Sequence, residues 1–205
     1  SAQAMNNLGW CYFHGEGVPQ NKKKSIELYQ RAVDKGDADA MFNLGWCYGK
    51  GEGVPQDKEK AIELYQCAVD KGNANAMYNL GVCYDNGEGV AQDKKKAAQL
   101  YQCAVDRGNA DAMNNLGVCY ENGTGVSQDL KKAVELYQVA ADMGDSCAMY
   151  CLGDCYESGK GVTQDYKKAV EFYQRASDLG DADAMVNLGL CYENGKGVPQ
   201  DYEKA

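Results

Sequence analysis

A strict internal repeat is the feature that most limits what this sequence can fold into. The pattern that begins at Ala4 returns every 36 residues, without an insertion or deletion. Because a fixed period of about 20–50 residues is the signature of repeat architectures, residues 1–205 are predicted to form a single array. The full periods are residues 4–39, 40–75, 76–111, 112–147 and 148–183, and a partial sixth covers residues 184–205.

Each period has the pattern of two helices. In the second period, Asp37 is a candidate N-cap for a first helix that ends at Gly51, and Asp57 is a candidate N-cap for a second helix that stops at Gly72. Two helices alone cannot bury their apolar faces, so each pair must stack on the next. The predicted fold class is therefore all-α, a right-handed α-solenoid of 36-residue antiparallel helix pairs.

Charge and hydropathy exclude several classes of function. The 21 Lys and Arg residues against 30 Asp and Glu residues give a net charge of -9, so the positive footprint of a nucleic-acid-binding protein is missing. An anionic membrane surface would repel the chain as well. No stretch approaches the roughly 20 apolar residues of a membrane span, and the first residues lack the pattern of a signal peptide. No nucleic-acid partner and no direct membrane insertion are expected.

The repeat unit resembles a known family. Each period contains Ala-Met-x-Asn-Leu-Gly-x-Cys-Tyr-x-x-Gly-x-Gly-Val-x-Gln-Asp, or a close variant, followed by Lys-Ala-x-x-Leu-Tyr-x-x-Ala. This run is similar to the Sel-one-like repeat (SLR) family, a relative of the 34-residue tetratricopeptide repeat, with Met41 in place of that repeat's Trp. The resemblance implies an adaptor that holds other proteins together, in membrane-protein quality control, signalling or bacterial interaction with host cells.

A stripe of variable residues on the first helices is the predicted binding surface. Residues 39, 42, 46, 49 and 50, which differ between periods, fall on one helical stripe. The resemblance to tetratricopeptide repeats implies that this stripe lines a concave groove. Aromatic residues of the stripe lie in the first three periods and are predicted partner anchors. They are Trp10, Phe13, Phe42, Trp46 and Tyr78. The alternative for the tryptophans is packing between neighbouring first helices.

The same stripe is acidic along the rest of the array. It carries eight carboxylates against one lysine, Lys50. A cleft of one charge sign attracts a partner of the opposite sign, so a protein or peptide with basic and apolar residues is the predicted partner. The alternative is that these carboxylates only keep the protein soluble. The acidic candidates for partner binding are Asp85, Glu121, Asp154 and Glu157.

An asparagine slot completes the candidate site. Asn43, Asn79 and Asn115 precede the Leu-Gly pair of their periods. The resemblance implies that these amides could grip a peptide backbone or a terminal carboxylate, as in some tetratricopeptide clamps. Such carboxylate clamps also need Lys or Arg, and Lys50 is the sole candidate in the groove, which argues against that use. Backbone gripping and a structural hydrogen bond between repeats remain as the two interpretations.

Ten cysteines bear on the redox compartment. Six occupy one first-helix slot, and equivalent residues of stacked helices lie about 8–10 Å apart, beyond the roughly 7 Å that a disulfide allows. They are predicted to be small buried hydrophobes, whereas Cys67 and Cys103 are predicted to be exposed. So many unpaired thiols favour a reducing, cytoplasmic compartment. The alternative is a secreted or endoplasmic-reticulum lumenal protein, which glycosylation of Asn122 would support.

No constellation for catalysis, cofactor binding or metal binding is evident. Cys147, Cys151 and Cys155 form an i, i+4, i+8 row, but no further Cys or His completes a tetrahedral zinc site. His14, the one histidine, has no nucleophile nearby in sequence. The predicted function is a non-enzymatic scaffold or adaptor. The alternative is a secreted or lumenal receptor-type binding module of a host-interaction or quality-control system.

The ends of the sequence fall inside the repeat pattern. Ala205 stops the sixth period early in its second helix, so Leu188 and Tyr192 are expected to lack the partner helix that covers their equivalents. Solenoids normally finish with a polar capping repeat. We therefore expect this segment to be cut from a longer array and to associate end to end with further copies.

Overall fold

The computed structural model describes residues 1–205 and contains eleven α-helices and no strand. The helices follow one another as pairs, which confirms the predicted all-α fold of helix pairs. None of them has the length and apolar character that crossing a membrane requires. The helices are α1 (Ala2–His14), α2 (Lys22–Val33), α3 (Ala38–Lys50), α4 (Lys58–Asp70), α5 (Ala74–Asn86), α6 (Lys94–Val105), α7 (Ala110–Asn122), α8 (Leu130–Asp142), α9 (Ser146–Ser158), α10 (Tyr166–Asp178) and α11 (Ala182–Asn194).

The chain divides into two compact units. The first unit, residues 1–108, contains α1 to α6, and the second unit, residues 109–205, contains α7 to α11. Within each unit, a first helix packs against the second helix of its own pair, and that second helix packs against the first helix of the next pair.

The predicted helix boundaries have a local chemical cause. The Asp37 side chain accepts a hydrogen bond from the Ala40 amide at 2.9 Å, and Asp57 does the same for Lys60 at the start of α4. These contacts satisfy amides that have no partner within the helix, so both predicted N-caps are confirmed. Gly51 ends α3 with a φ of 74°, a left-handed conformation that glycine adopts without steric cost.

A glutamine in the turn between the two helices closes the end of each first helix. Gln56 Nε2 donates to the carbonyl oxygen of Gly49 at 2.8 Å, and Gln128 Nε2 donates to that of Glu121 at 2.7 Å. Both carbonyls lie in the last turn of a helix, where no intrahelical donor remains. The invariant Gln therefore fixes the part of the helix that carries the variable stripe.

Close packing of glycine against tyrosine holds the two helices of a pair together. In the first unit, Gly45 of α3 faces the ring of Tyr65 of α4, and a Cβ on Gly45 would lie 2.9 Å from Tyr65 Cε1. In the second unit, Gly153 faces the ring of Tyr173 in the same way, and a Cβ on Gly153 would overlap that ring. The invariant glycine is thus required by the ring, which is buried in both pairs.

Two glycines on α3 should respond oppositely to alanine. Gly45→Ala is expected to lower the free energy of unfolding by about 1–3 kcal/mol, because its Cβ would overlap the Tyr65 ring. Gly49→Ala is the matched control, since its Cβ would lie 3.5 Å from that of Ala61, an ordinary contact. Its helix propensity should raise stability by about 0.5–1 kcal/mol. Urea denaturation measures both values, and equal effects would contradict the packing argument.

Candidate partner-binding site

An open aromatic pocket lies between α1, α2 and α3 in the first unit. Its volume is about 200 Å³, and apolar groups make up most of its wall. It brings together four of the five aromatic residues predicted to bind a partner. The pocket, called the aromatic pocket below, is lined by Trp10, Phe13, His14, Tyr29, Phe42, Asn43, Trp46 and Cys47.

The rings of this pocket contact one another as well as the pocket interior. Phe13 and Trp46 meet edge to face with centroids 5.7 Å apart, and Trp10 lies 4.3 Å from His14. Phe13 and Trp46 also pack on the buried core of the unit, whereas 40% of the Trp10 surface is exposed. Packing between neighbouring first helices therefore occurs, and it leaves aromatic faces open to a ligand.

Tyr78 lies away from the aromatic pocket. Its ring centroid is 6.1 Å from that of Tyr101. Phe42 has the same relation to Tyr65 one period earlier, also at 6.1 Å. This contact is a packing feature that recurs along the array, and it does not bring Tyr78 to the other four aromatic residues.

A second, smaller pocket follows one period later in the first unit. Its volume is about 100 Å³, and it occupies the position equivalent to the aromatic pocket. Gly49 stands where the preceding period has Phe13, so this position supplies no side chain beside the Tyr65 hydroxyl, whereas Phe42 of α3 packs on the Tyr65 ring. This Gly49 pocket is lined by Gly49, Lys50, Lys58, Ala61, Tyr65, Asn79, Val82, Cys83 and Glu88.

The acidic candidates are bound to donors of their own chain. In the second unit, Glu121 accepts hydrogen bonds from the Tyr137 hydroxyl at 2.9 Å and from Lys160 Nζ at 3.0 Å. Glu157 has the same arrangement, with the Tyr173 hydroxyl at 2.9 Å and Lys196 Nζ at 3.1 Å.

The other two acidic candidates are also engaged. Asp154 accepts from the Tyr173 hydroxyl at 2.6 Å and from Asn187 Nδ2 at 3.2 Å. In the first unit, Asp85 pairs with Lys94 at 2.9 Å. A partner would have to share these carboxylates with their present donors.

Burial and these carboxylates together fix the protonation of the core tyrosines. Burial raises the pKa of Tyr137 far above its ordinary value, and the charge and hydrogen bond of Glu121 raise it further. The Glu121 carboxylate also raises the pKa of Lys160. The hydroxyl therefore stays a donor, and the lysine stays charged, throughout the physiological range.

The asparagines of the candidate site divide between two environments. Asn43 Nδ2 donates to Asn6 Oδ1 at 2.9 Å, which joins the first helices of two successive periods. Asn79 Nδ2 donates to the Asn75 carbonyl within its own helix at 3.0 Å. Asn115 is half-buried on α7. The contact of Asn43 is the structural hydrogen bond between repeats that the sequence left as one interpretation.

The family model of the Sel1 repeat matches the chain six times. The matches cover residues 2–37, 38–73, 74–109, 110–145, 148–181 and 182–205. The chain belongs to the Sel1 repeat family. Sel1 repeat proteins are generally scaffolds for protein interaction, and their fold is typically non-enzymatic. No curated protein sequence matches the chain significantly.

Solved structures share this Sel1 fold along the whole chain. A Sel1 repeat protein from Oxalobacter formigenes is 32% identical with a TM-score of 0.92, over 100% of this chain and 82% of that one. A protective antigen of uropathogenic Escherichia coli strains, which displays an SLR fold, is 33% identical with a TM-score of 0.90. That match covers 100% of this chain but 44% of the antigen, so this chain spans less than half of the antigen's length.

The cysteines of the Sel1 repeats occupy three environments. Cys47 is 1% exposed, and burial raises the pKa of its thiol to about 12. Burial likewise raises the pKa of Cys151 and Cys155 to about 12. Cys67 and Cys103 are exposed, as predicted, whereas two members of the six-residue slot are only half-buried, namely Cys11 and Cys83. No three potential metal ligands gather around the cysteine row of α9.

Alkylation should follow this order of environments. With iodoacetamide at pH 7.5, we expect Cys67 and Cys103 to react first, because their thiols are exposed. Cys47 and Cys155 should react at least tenfold more slowly, because they are buried and their raised pKa leaves little thiolate. Peptide mass spectrometry of timed samples measures the order. Labelling in denaturant is the control, and a buried thiol that reacts first in the native protein would contradict the assignment.

The last Sel1 helix exposes a different set of residues from the one expected. No helix follows α11, as expected, but Leu188 is only 9% exposed and Tyr192 is half-buried, so the missing partner helix leaves neither of them fully open. The exposed apolar side chains of α11 are Met185, Val186 and Leu190, with Val186 62% exposed. They line an open recess together with Tyr202 and Ala205. End-to-end association stays a prediction.

Proposed function

We propose that this chain is a non-enzymatic scaffold that binds a segment of a partner protein by receiving an apolar side chain in the aromatic pocket. One observation carries the proposal. Both tryptophans of the chain and two of its three phenylalanines converge on a single open pocket. Scattered exposed aromatics would need no explanation, but a concave cluster of this composition is typical of a binding hot spot.

The chemistry of the pocket favours an apolar anchor. Its wall consists mainly of ring faces and edges, which bury large area at low cost in side-chain entropy. The polar groups at its border, His14 and the Asn43 amide, can orient the backbone of the bound segment. The Asn43 amide already donates to Asn6, so one of its two N–H groups remains for this purpose.

Charge favours a partner segment that is basic overall. Residues 109–205 contain 8 Lys and Arg against 16 Asp and Glu, whereas residues 1–108 contain 13 against 14. Because Asp85, Glu121, Asp154 and Glu157 already accept hydrogen bonds or ion pairs within the chain, their proposed contribution is the field of the net charge. That field attracts basic residues of a partner and should weaken as salt rises.

The experiment that tests this function is selection of binding segments from a library of displayed random 12-residue peptides. Selected peptides are expected to share one large apolar residue and an excess of Lys and Arg. Their binding to the purified chain, read from tryptophan fluorescence, should weaken as NaCl rises from 50 to 500 mM. Both tryptophans lie in the pocket, so this signal reports on the site directly. Selected peptides without an apolar residue would overturn the proposal.

For localisation, we propose the reducing cytoplasm, on the strength of the exposed thiols of Cys67 and Cys103. Asn122 is exposed at the end of α7, followed by Gly123 and Thr124. Glycan on Asn122 of the natural protein would favour the secreted or lumenal alternative instead.

A further inference from the structure

We propose that the Gly49 pocket binds the side-chain carboxylate of a Glu or Asp residue in the partner segment that is anchored in the aromatic pocket. The inference deepens the proposed function and rests on it, because the same segment occupies both pockets. The carboxylate bound here has the same sign of charge as the chain as a whole, which carries -9. General attraction between an acidic protein and a basic partner therefore cannot account for it.

Other periods of the chain show which donors surround a carboxylate at the position of Gly49. In the second unit, the positions equivalent to Gly49 hold Glu121 and Glu157. Each of these carboxylates accepts a hydrogen bond from the hydroxyl of the tyrosine equivalent to Tyr65. Each also pairs with a lysine. These two internal sites define a carboxylate position above a buried tyrosine, built from one hydroxyl and one ammonium group.

In the second period this position is open, and Glu88 stands where the two internal sites have their lysine. Gly49 supplies no side chain, and no hydrogen bond within the chain engages the Tyr65 hydroxyl. A Cβ on Gly49 would lie 3.8 Å from the Tyr65 oxygen, so a group entering here reaches the hydroxyl directly. The Tyr65 hydroxyl faces this pocket, so it can donate a hydrogen bond to a carboxylate that enters it.

The charges around the Gly49 pocket favour an anion. Lys50 and Lys58 line it, and the one carboxylate, Glu88, is held by Lys58 at 3.1 Å. Both lysines lower the pKa of Glu88, so the carboxylate stays ionised and leaves one positive charge in excess. The Asn79 amide lines the pocket and retains one N–H beyond its bond to Asn75. Hydroxyl, amide and ammonium groups are donors from which a carboxylate accepts hydrogen bonds.

One segment can reach both pockets. Trp46 of α3 lines the aromatic pocket, and Gly49 lines the second pocket three residues later. The two pockets occupy equivalent positions of successive periods, so their centres are separated by about the 8–10 Å between stacked helices. An apolar residue and an acidic residue that are near neighbours in the partner segment therefore fit this spacing.

The test uses N-acetyl-glutamate N-methylamide, in which the side-chain carboxylate is the sole charge, titrated into the 15N-labelled chain. We expect saturable shifts of the Gly49 amide signal with a millimolar dissociation constant, and none with the glutamine analogue. Gly49→Glu should weaken binding at least tenfold, because its own carboxylate would reach the Tyr65 hydroxyl as Glu121 reaches that of Tyr137. Val139→Ala, on α8 and outside the pocket, should bind like the unaltered chain, and Tyr65→Phe should lose binding without filling the pocket.

Several outcomes would overturn the inference. Equal shifts with the glutamine analogue would remove the requirement for charge, and unchanged binding to Gly49→Glu and Tyr65→Phe would place the site elsewhere. Tighter binding of N-acetyl-alanine would assign the pocket to a chain terminus and overturn the side-chain assignment. Binding of display-selected peptides to the variants distinguishes failure of the carboxylate inference from failure of the proposed function. Peptides that depend on Trp46 but tolerate Gly49→Glu overturn the carboxylate inference alone, whereas peptides that tolerate Trp46→Ala overturn the proposed function.

Discussion

Trp46→Ala is expected to weaken the binding of display-selected peptides by at least about thirtyfold, or roughly 2 kcal/mol or more. The indole of Trp46 contacts Phe13 and forms part of the wall of the aromatic pocket. Its removal takes away both contact area and the ring that holds Phe13 in place. Truncation of a buried aromatic anchor commonly has this cost, whereas contacts at the border of a pocket contribute far less.

The measurement is a fluorescence titration, in which Trp10 still reports on the pocket after Trp46 is removed. Val139→Ala is the matched control, because Val139 is an exposed apolar residue on α8 in the second unit, outside the pocket. It should leave affinity unchanged. Circular dichroism should show the same helix content for both variants. A Trp46→Ala affinity within threefold of the control would contradict the assignment of the aromatic pocket as a hot spot.

Tyr173→Phe is expected to lower the free energy of unfolding by about 1.5–3 kcal/mol. The buried Tyr173 hydroxyl lies 2.6 Å from Asp154 and 2.9 Å from Glu157 and shares its one hydrogen between them, so its loss removes this donor from both carboxylates. Hydrogen bonds to charged groups have about this value, which exceeds that of neutral pairs. The ring remains in place, so the packing against Gly153 should not change.

Tyr65→Phe is the matched control for this second prediction. Tyr65 has the equivalent position in the first unit, with a buried ring against Gly45 but no carboxylate on its hydroxyl. Its replacement should change stability by less than about 0.5 kcal/mol, since no hydrogen bond within the chain is lost. Urea denaturation of both variants measures the difference. Equal losses would show that the hydroxyl–carboxylate contacts of the second unit contribute nothing, and would also weaken the analogy on which the Gly49 pocket rests.

The aromatic candidates show how far sequence reasoning reaches in the binding site. Periodicity alone placed Trp10, Phe13, Phe42 and Trp46 on one stripe, and the structure brings them into one pocket. The same periodicity included Tyr78, which packs against Tyr101 at a contact repeated elsewhere in the array. A stripe defines the face on which a residue lies, but the neighbouring helices decide whether that face holds a cavity or a packing contact.

The acidic candidates show where sequence reasoning about the binding site stops. Their sign and position follow from the sequence, but the partners of Glu121 lie 16 and 39 residues away, at Tyr137 and Lys160. A signal was present: lysine stands 39 residues after Glu121 and after Glu157, whereas Glu88 stands 39 residues after Gly49. This paired difference between periods can be interpreted only when it is known that the two positions lie close together. That proximity depends on how successive helix pairs pack.

The sequence by itself determined the 36-residue period, the two helices of each Sel1 repeat and their caps. These follow from interactions within a few residues, such as the bond of Asp37 to the Ala40 amide and the left-handed turn at Gly51. Only the tertiary structure decided which positions of the variable stripe are open. Glu121 and Glu157 are satisfied by their own chain, whereas Phe13 and Gly49 leave cavities over a buried tyrosine. The physical reason is that each cavity is bounded by three helices, so its shape depends on side chains that meet only after the repeats have stacked.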